Sequence, residues 1–154
     1  MSLGKVLISC NLDQYIQKWQ SEIRESSKGE TYGIFKIKFG FEKYLDTLPK
    51  KLRTKFIKFR TSKHHLPVET NRWCGTPKNE RTCHICKTGQ IADEYHYVLE
   101  CKSFEYYRRK YLSTKYCSKP NFFKFSELMS TSDFNVLTKL CNFICKINDH
   151  VCPP

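Results

Sequence analysis

The stretch CHICKTGQIADEYHYVLEC, Cys83–Cys101, decides the reading of this chain. It spells C-x2-C-x9-H-x4-C. Three thiols and an imidazole in tetrahedral array form one of the usual structural cages for Zn²⁺. A tight turn between Cys83 and Cys86 aims both sulfurs at one point, and Gly89 lets the chain fold back. Asp93 is placed to cap a short helix carrying Tyr95, His96, Val98 and Leu99. Five helical steps from His96 carry Cys101 well round the axis, so Cys101 is expected at or past the helix end. His84 sits inside the turn and should point away from the site its neighbours share. Three plainer readings compete. A redox pair at Cys83 and Cys86 lacks a surrounding βαβ pattern. Disulfides fit poorly with nine cysteines and no visible secretory signal. Separate buried thiols do not explain four ligand-type residues at metal-site spacing.

Composition sets the partner class. The chain has 154 residues, enough for one domain, with 27 Lys+Arg against 15 Asp+Glu and a formal net charge of +12. That balance favours a polyanion, nucleic acid or an anionic surface. No apolar run reaches the about 20 residues of a membrane span, so no membrane partner is expected. Cysteines without an evident pairing pattern suggest a reducing, intracellular compartment, nucleus or cytoplasm.

Along the chain, residues 1–10 read as a disordered or truncated lead-in, and residues 11–152 as one helical zinc-binding domain with its hairpin at 81–103. From Asn11, Tyr15, Ile16, Trp19 and Ile23 share a helical face that Gly29 ends. In TYGIFKIKFGF, residues 31–41, alternation at Phe35, Ile37, Phe39 and Phe41 predicts a strand, with a helix starting near Phe41 as the rival. Pro49 opens a helix over 49–63, where Leu48, Leu52, Phe56 and Phe59 line one face. Lys50, Lys51, Arg53, Lys55, Lys58, Arg60 and Lys63 cover the rest with no acid between them. Such a run is either a solvated surface or a phosphate-binding face, and the uncompensated repulsion favours the latter. Residues 64–81 form an extended connector because Pro67 and Pro77 exclude a continuous helix. It should pack through Leu66, Val68 and Trp73, with His64 and Arg72 available to phosphates and Trp73 either buttressing the core or the metal site or stacking on a base. Over 104–116, Phe104, Tyr107 and Tyr111 form a stripe beside Arg108, Arg109 and Lys110, either a second nucleic-acid surface or a core-facing row. Ser132 can cap a final helix, in which Cys141 and Cys145 read as core. The expected fold is mainly α, a small helical domain around a Cys₃His hairpin with room for one short strand pair.

Machinery for chemistry is missing. No paired aspartates, phosphate-binding glycine loop or nucleophile elbow occurs. Four ligands would close the zinc shell, and the deaminase pattern fails because Thr82 precedes Cys83 and Tyr97 follows His96. The chain is therefore not expected to be an enzyme.

The runs FIKFRTSKHHLPVETNRW, RTCHICKTGQIADEYHYVLEC and RKYL together resemble the carboxy-terminal zinc-binding region of non-LTR retrotransposon reverse transcriptase polyproteins. The likeness is densest over residues 56–112. It implies one structural Zn²⁺ on Cys83, Cys86, His96 and Cys101, and binding of RNA or DNA with weak sequence preference, assisting template or target engagement. It also implies an upstream polymerase domain as a possible partner. The polymerase and endonuclease segments of such a transposable element lie outside these residues, so a truncated copy or a domesticated small protein is expected. Two other readings stand beside it, a zinc-scaffolded protein-interaction module and a non-functional element fragment.

Overall fold

The computed structural model describes residues 3–26 and 29–152, with side chains from 11–26 and 31–152. The interior is organised on its last helix, α9 (Phe134–Val151). Leu137, Leu140, Cys141, Phe143, Ile144, Ile147 and Val151 recur at three- and four-residue steps, so α9 is apolar around a broad arc and is buried there. Against it pack α4 (Lys50–Arg60), α6 (Glu105–Tyr111) and the short α3 (Tyr44–Thr47). Cys141 lies in this core as the sequence suggests.

On α4, Phe56 and Phe59 are buried, Leu52 is half-buried, and Pro49 stands at the cap. The stripe Phe104, Tyr107, Tyr111 faces α9, with Tyr111 stacked on Phe143 and Phe104 edge-on to it. Its helix is interrupted: Leu112 turns to extended backbone after α6, and α7 (Thr114–Cys117) restarts from Ser113. Asp133, rather than Ser132, caps α9, its Oδ1 accepting the amides of Asn135 and Val136 at 2.8 and 3.0 Å.

Four further expectations change. The first helix, α1 (Leu3–Glu25), begins before Asn11, so residues 3–10 of the expected lead-in belong to it; Met1 and Ser2 lie outside the described residues. The strand over 31–41 does not form. α2 (Gly29–Phe35) takes its first half, and residues 36–43 are irregular. The reason is local satisfaction of polar groups: α8 (Phe122–Met129) packs on α2, and Ser126 Oγ and Ser130 Oγ donate to the Ile34 and Phe35 carbonyls at 2.9 and 3.0 Å. These bonds cap the end of α2, and Phe35 packs on Phe125. Among the described residues the one β pairing is an isolated bridge, Thr82 with Ile91. The connector holds a short helix, α5 (Pro67–Trp73), because Pro67 occupies its first turn, where a missing N–H costs nothing. Trp73 is 56% exposed and meets His65 edge to face, so it lies at the surface and not as a core or metal-site buttress.

Candidate metal centre

Backbone geometry builds the hairpin. The Cys83 amide donates to Gln90 O at 2.8 Å and the Lys87 amide to Cys83 O at 3.2 Å, closing the turn that holds Cys83 and Cys86. Lys87 and Gly89 take positive φ of 53° and 76°, which lets the chain double back to the Thr82–Ile91 bridge. Asp93 then caps the next segment, its Oδ1 accepting the His96 amide at 2.7 Å. Burial pushes the Asp93 carboxyl up to about 6, although that amide bond pulls it down.

Residues His96–Glu100 form a π-turn. The Cys101 amide reaches back to His96 O at 2.7 Å, an i+5 bond. A wider turn needs more residues to complete a circle, so five steps, too many for an α-helix, return Cys101 to the side of His96. This explains the H-x4-C spacing, which places Cys101 at the end of the turn as expected.

The four ligand atoms lie within 4.8 Å of one another. Cys83 Sγ is 4.0 Å from Cys101 Sγ, and Cys86 Sγ is 3.4 Å from His96 Nε2. A tetrahedron with Zn–S of about 2.3 Å and Zn–N of about 2.0–2.1 Å sets these separations near 3.8 and 3.5 Å. The set can hold a metal ion and fits zinc. His84 is exposed and outside the cluster.

Electrostatics point the same way. Burial pushes the Cys101 thiol up to about 12, with the adjacent sulfurs adding to it. Burial also raises Cys86, but hydrogen bonds from Thr88 and the nearby sulfurs outweigh it and the net shift is downward. Three such sulfurs do not ionise together without a cation among them. Burial lowers His96, against the pull of Glu100 and with help from Arg108, favouring the neutral imidazole a metal requires. Its Nδ1 is buried, with Glu100 Oε2 at 4.0 Å.

Several expected nucleic-acid contacts lie inside the protein. Arg108 is buried, donating to Val98 O and Cys101 O at 2.8 Å each; it fastens the π-turn to α6 because carbonyls beyond a helix end need donors. Arg60 is 2% exposed, paired with Glu42 at 3.0 Å and bonded to Met129 O. His64 is buried against Glu94, with Nε2 2.7 Å from Oε1. Leu66 N donates to its Nδ1, which places the ring proton on Nε2 facing the carboxylate. Burial alone would raise Glu94; His64 and Ser62 outweigh it and hold the carboxyl low. These buried polar groups were missed because a charge run does not show which members face inward.

The remaining cations divide into two sets. Lys50, Lys51, Lys58 and Lys63 are exposed and Lys55 half-buried, none with an ion-pair partner among the described residues. Lys55, Lys58 and Lys63 border a recess of about 290 Å³. Arg109 and Lys110 border another of about 330 Å³ with Lys139, which the sequence reading overlooked. Arg109 pairs with Glu105, Arg72 with Glu69, and Arg53 bonds to Leu45 O. No described helix is long and apolar enough to cross a membrane. No family model, curated protein or solved structure matches this chain.

Proposed function

We propose that this chain is a non-catalytic nucleic-acid-binding module organised by one structural Zn²⁺, of the kind that follows the polymerase in non-LTR retrotransposon reverse transcriptases. The observation that carries it is the convergence of Cys83, Cys86, His96 and Cys101, a full ligand set with no position left open for substrate. The lysines of α4 supply the nucleic-acid half of the reading. With Lys63 just beyond the helix, Lys50, Lys51, Lys55 and Lys58 make five cations without ion-pair partners among the described residues, which attract phosphates and confer affinity without sequence choice.

Native mass spectrometry under reducing conditions tests the metal. One zinc per chain is expected, and Cys86→Ser should weaken it by more than the about 10- to 100-fold typical of residues outside the ligand shell. Absence of zinc after refolding with metal would sink the reading. Binding to RNA should then weaken with salt by a log–log slope of about −0.7 per phosphate contact on single strands. A salt-insensitive interaction would favour a protein partner instead.

A further inference from the structure

The segment between α2 and α3 exposes apolar side chains without an evident structural reason. Ile37 is 74% exposed, Phe41 68% and Phe39 41%, and Tyr15 of α1, which Phe39 meets, is 58% exposed; Ile37 and Phe41 border a separate recess beside Ser130 and Ser132. The sequence alternates these apolar residues with lysine, yet no strand forms. Among the described residues, no backbone amide of residues 37–43 donates a hydrogen bond. Lys36 shapes the loop from within, donating to Gly40 O at 2.7 Å and pairing with Glu42 at 3.1 Å.

The rings are arranged edge to face. Phe39 meets Tyr15 at 5.4 Å and 76°, and Trp19 at 5.5 Å and 72°. Such contacts fix ring orientation while leaving faces open. Lys38 and Lys43, exposed at the rim, have no ion-pair partner among the described residues. From Trp19 a groove of about 300 Å³, lined by Glu22, Ile23, Tyr32 and Thr61, runs to Lys63. Lys63 also borders, with Lys55, Lys58, His65 and Asp149, the recess beside α4, so the groove from Trp19 adjoins the lysine face of α4.

We propose that α1 and residues 36–43 form a stacking platform for single-stranded nucleic acid, whose backbone continues through the Trp19–Lys63 groove onto α4. Open ring faces take bases of any identity, and flanking lysines and free amides meet phosphates. Charge complementarity selects this occupant: an apolar protein surface would leave the rim lysines and the adjoining cationic face unanswered. The inference rests on the nucleic-acid reading above.

The test uses the full zinc-loaded chain, with an oligouridine of about 15 nucleotides and a duplex of similar length as probes. Tyr15→Ser and Phe39→Ser alter the exposed rings that meet on this face. Each should weaken oligouridine binding about 10-fold, leave its salt slope unchanged and spare the duplex. Lys55→Glu with Lys58→Glu should weaken both probes and reduce the slope. In a Trp73→Phe background, oligouridine should also quench Trp19 fluorescence, a readout that does not depend on ring substitutions. If ring variants bind oligouridine normally and Trp19 is not quenched, while the lysine variants lose binding, the platform is wrong and the nucleic-acid reading stands. If those ring variants instead change the mass in sedimentation, the face joins copies of the chain and the platform is likewise overturned. If the wild-type chain binds neither probe, both readings fall together.

Discussion

The Arg60 guanidinium sits in a cage of rings, 4.6 Å from the centroid of Phe35 and 5.0 Å from that of Tyr44, with Glu42 closing the polar side. Cation–π contact, the ion pair and the Met129 carbonyl hold a charge withdrawn from water, while the buried Nε makes no hydrogen bond. Replacing Arg60 with Ala leaves the Met129 carbonyl without its donor and the Glu42 carboxylate with Lys36 as its remaining ion-pair partner, and should cost about 2–3 kcal/mol in urea unfolding. Lys cannot reproduce the planar fork and should rescue little of the loss. Glu94→Ala, which leaves buried His64 and Ser62 without their acceptor, should cost a similar about 3 kcal/mol by the same measurement. Alkali offers a different test. Burial holds the Cys141 thiol up to about 12 against an ordinary 9.0, so folding favours its protonated form. The stabilisation is complete below 9 and is lost as pH rises toward 12. Chemical-denaturation midpoints should therefore fall between these values, and less steeply in Cys141→Ala. The Cys₃His cluster was legible from spacing alone, because type and interval are both written in the chain. The inward turn of Arg60, His64 and Arg108 was not, because their partners Glu42, Glu94 and the Val98 carbonyl come from packing.

At the scale of elements, the π-turn sets the register of the metal site. One alanine inserted after Leu99 would carry Cys101 past His96, and zinc affinity should fall by more than about 100-fold in competition with a chelator, as for loss of a ligand. Helix capping provides a milder contrast. Asp133→Ala should cost about 1 kcal/mol in thermal unfolding, while Ser132→Ala should cost little. Both candidates precede the helix in sequence, and only the backbone decides which side chain reaches the free amides. The same limit applies to residues 31–41. Alternation describes a surface with two faces, but a strand also requires a neighbour, and the serines of α8 offered α2 better hydrogen bonding. Helical spacing read well where apolar rows were long, as in α4 and α9, and poorly where an element was a turn or two, as in α3, α5 and α7.

For the whole molecule, Cys83, Ala92 and Cys101 of the hairpin belong to the same apolar cluster as α4 and α9, while the hairpin backbone is closed by its own turns. Chelating zinc should therefore expose the Cys83 and Cys101 amides to hydrogen exchange while amides within α9 stay protected. Simultaneous loss in both would instead mark one cooperative unit. The distribution of cation types adds a further consequence. On α4 both arginines are engaged by the fold, Arg53 with the Leu45 carbonyl and Arg60 in its cage, whereas the cations facing solvent are all lysines. Acylating reagents and enzymes act on amines and leave guanidinium groups alone. Acetylation can thus erase the charge of this face without touching the bonds that hold the helix in place. Native treatment with acetic anhydride should abolish the proposed RNA binding while leaving the bonds of Arg53 and Arg60 that anchor α4 in place, which hydrogen exchange of the α4 amides would read.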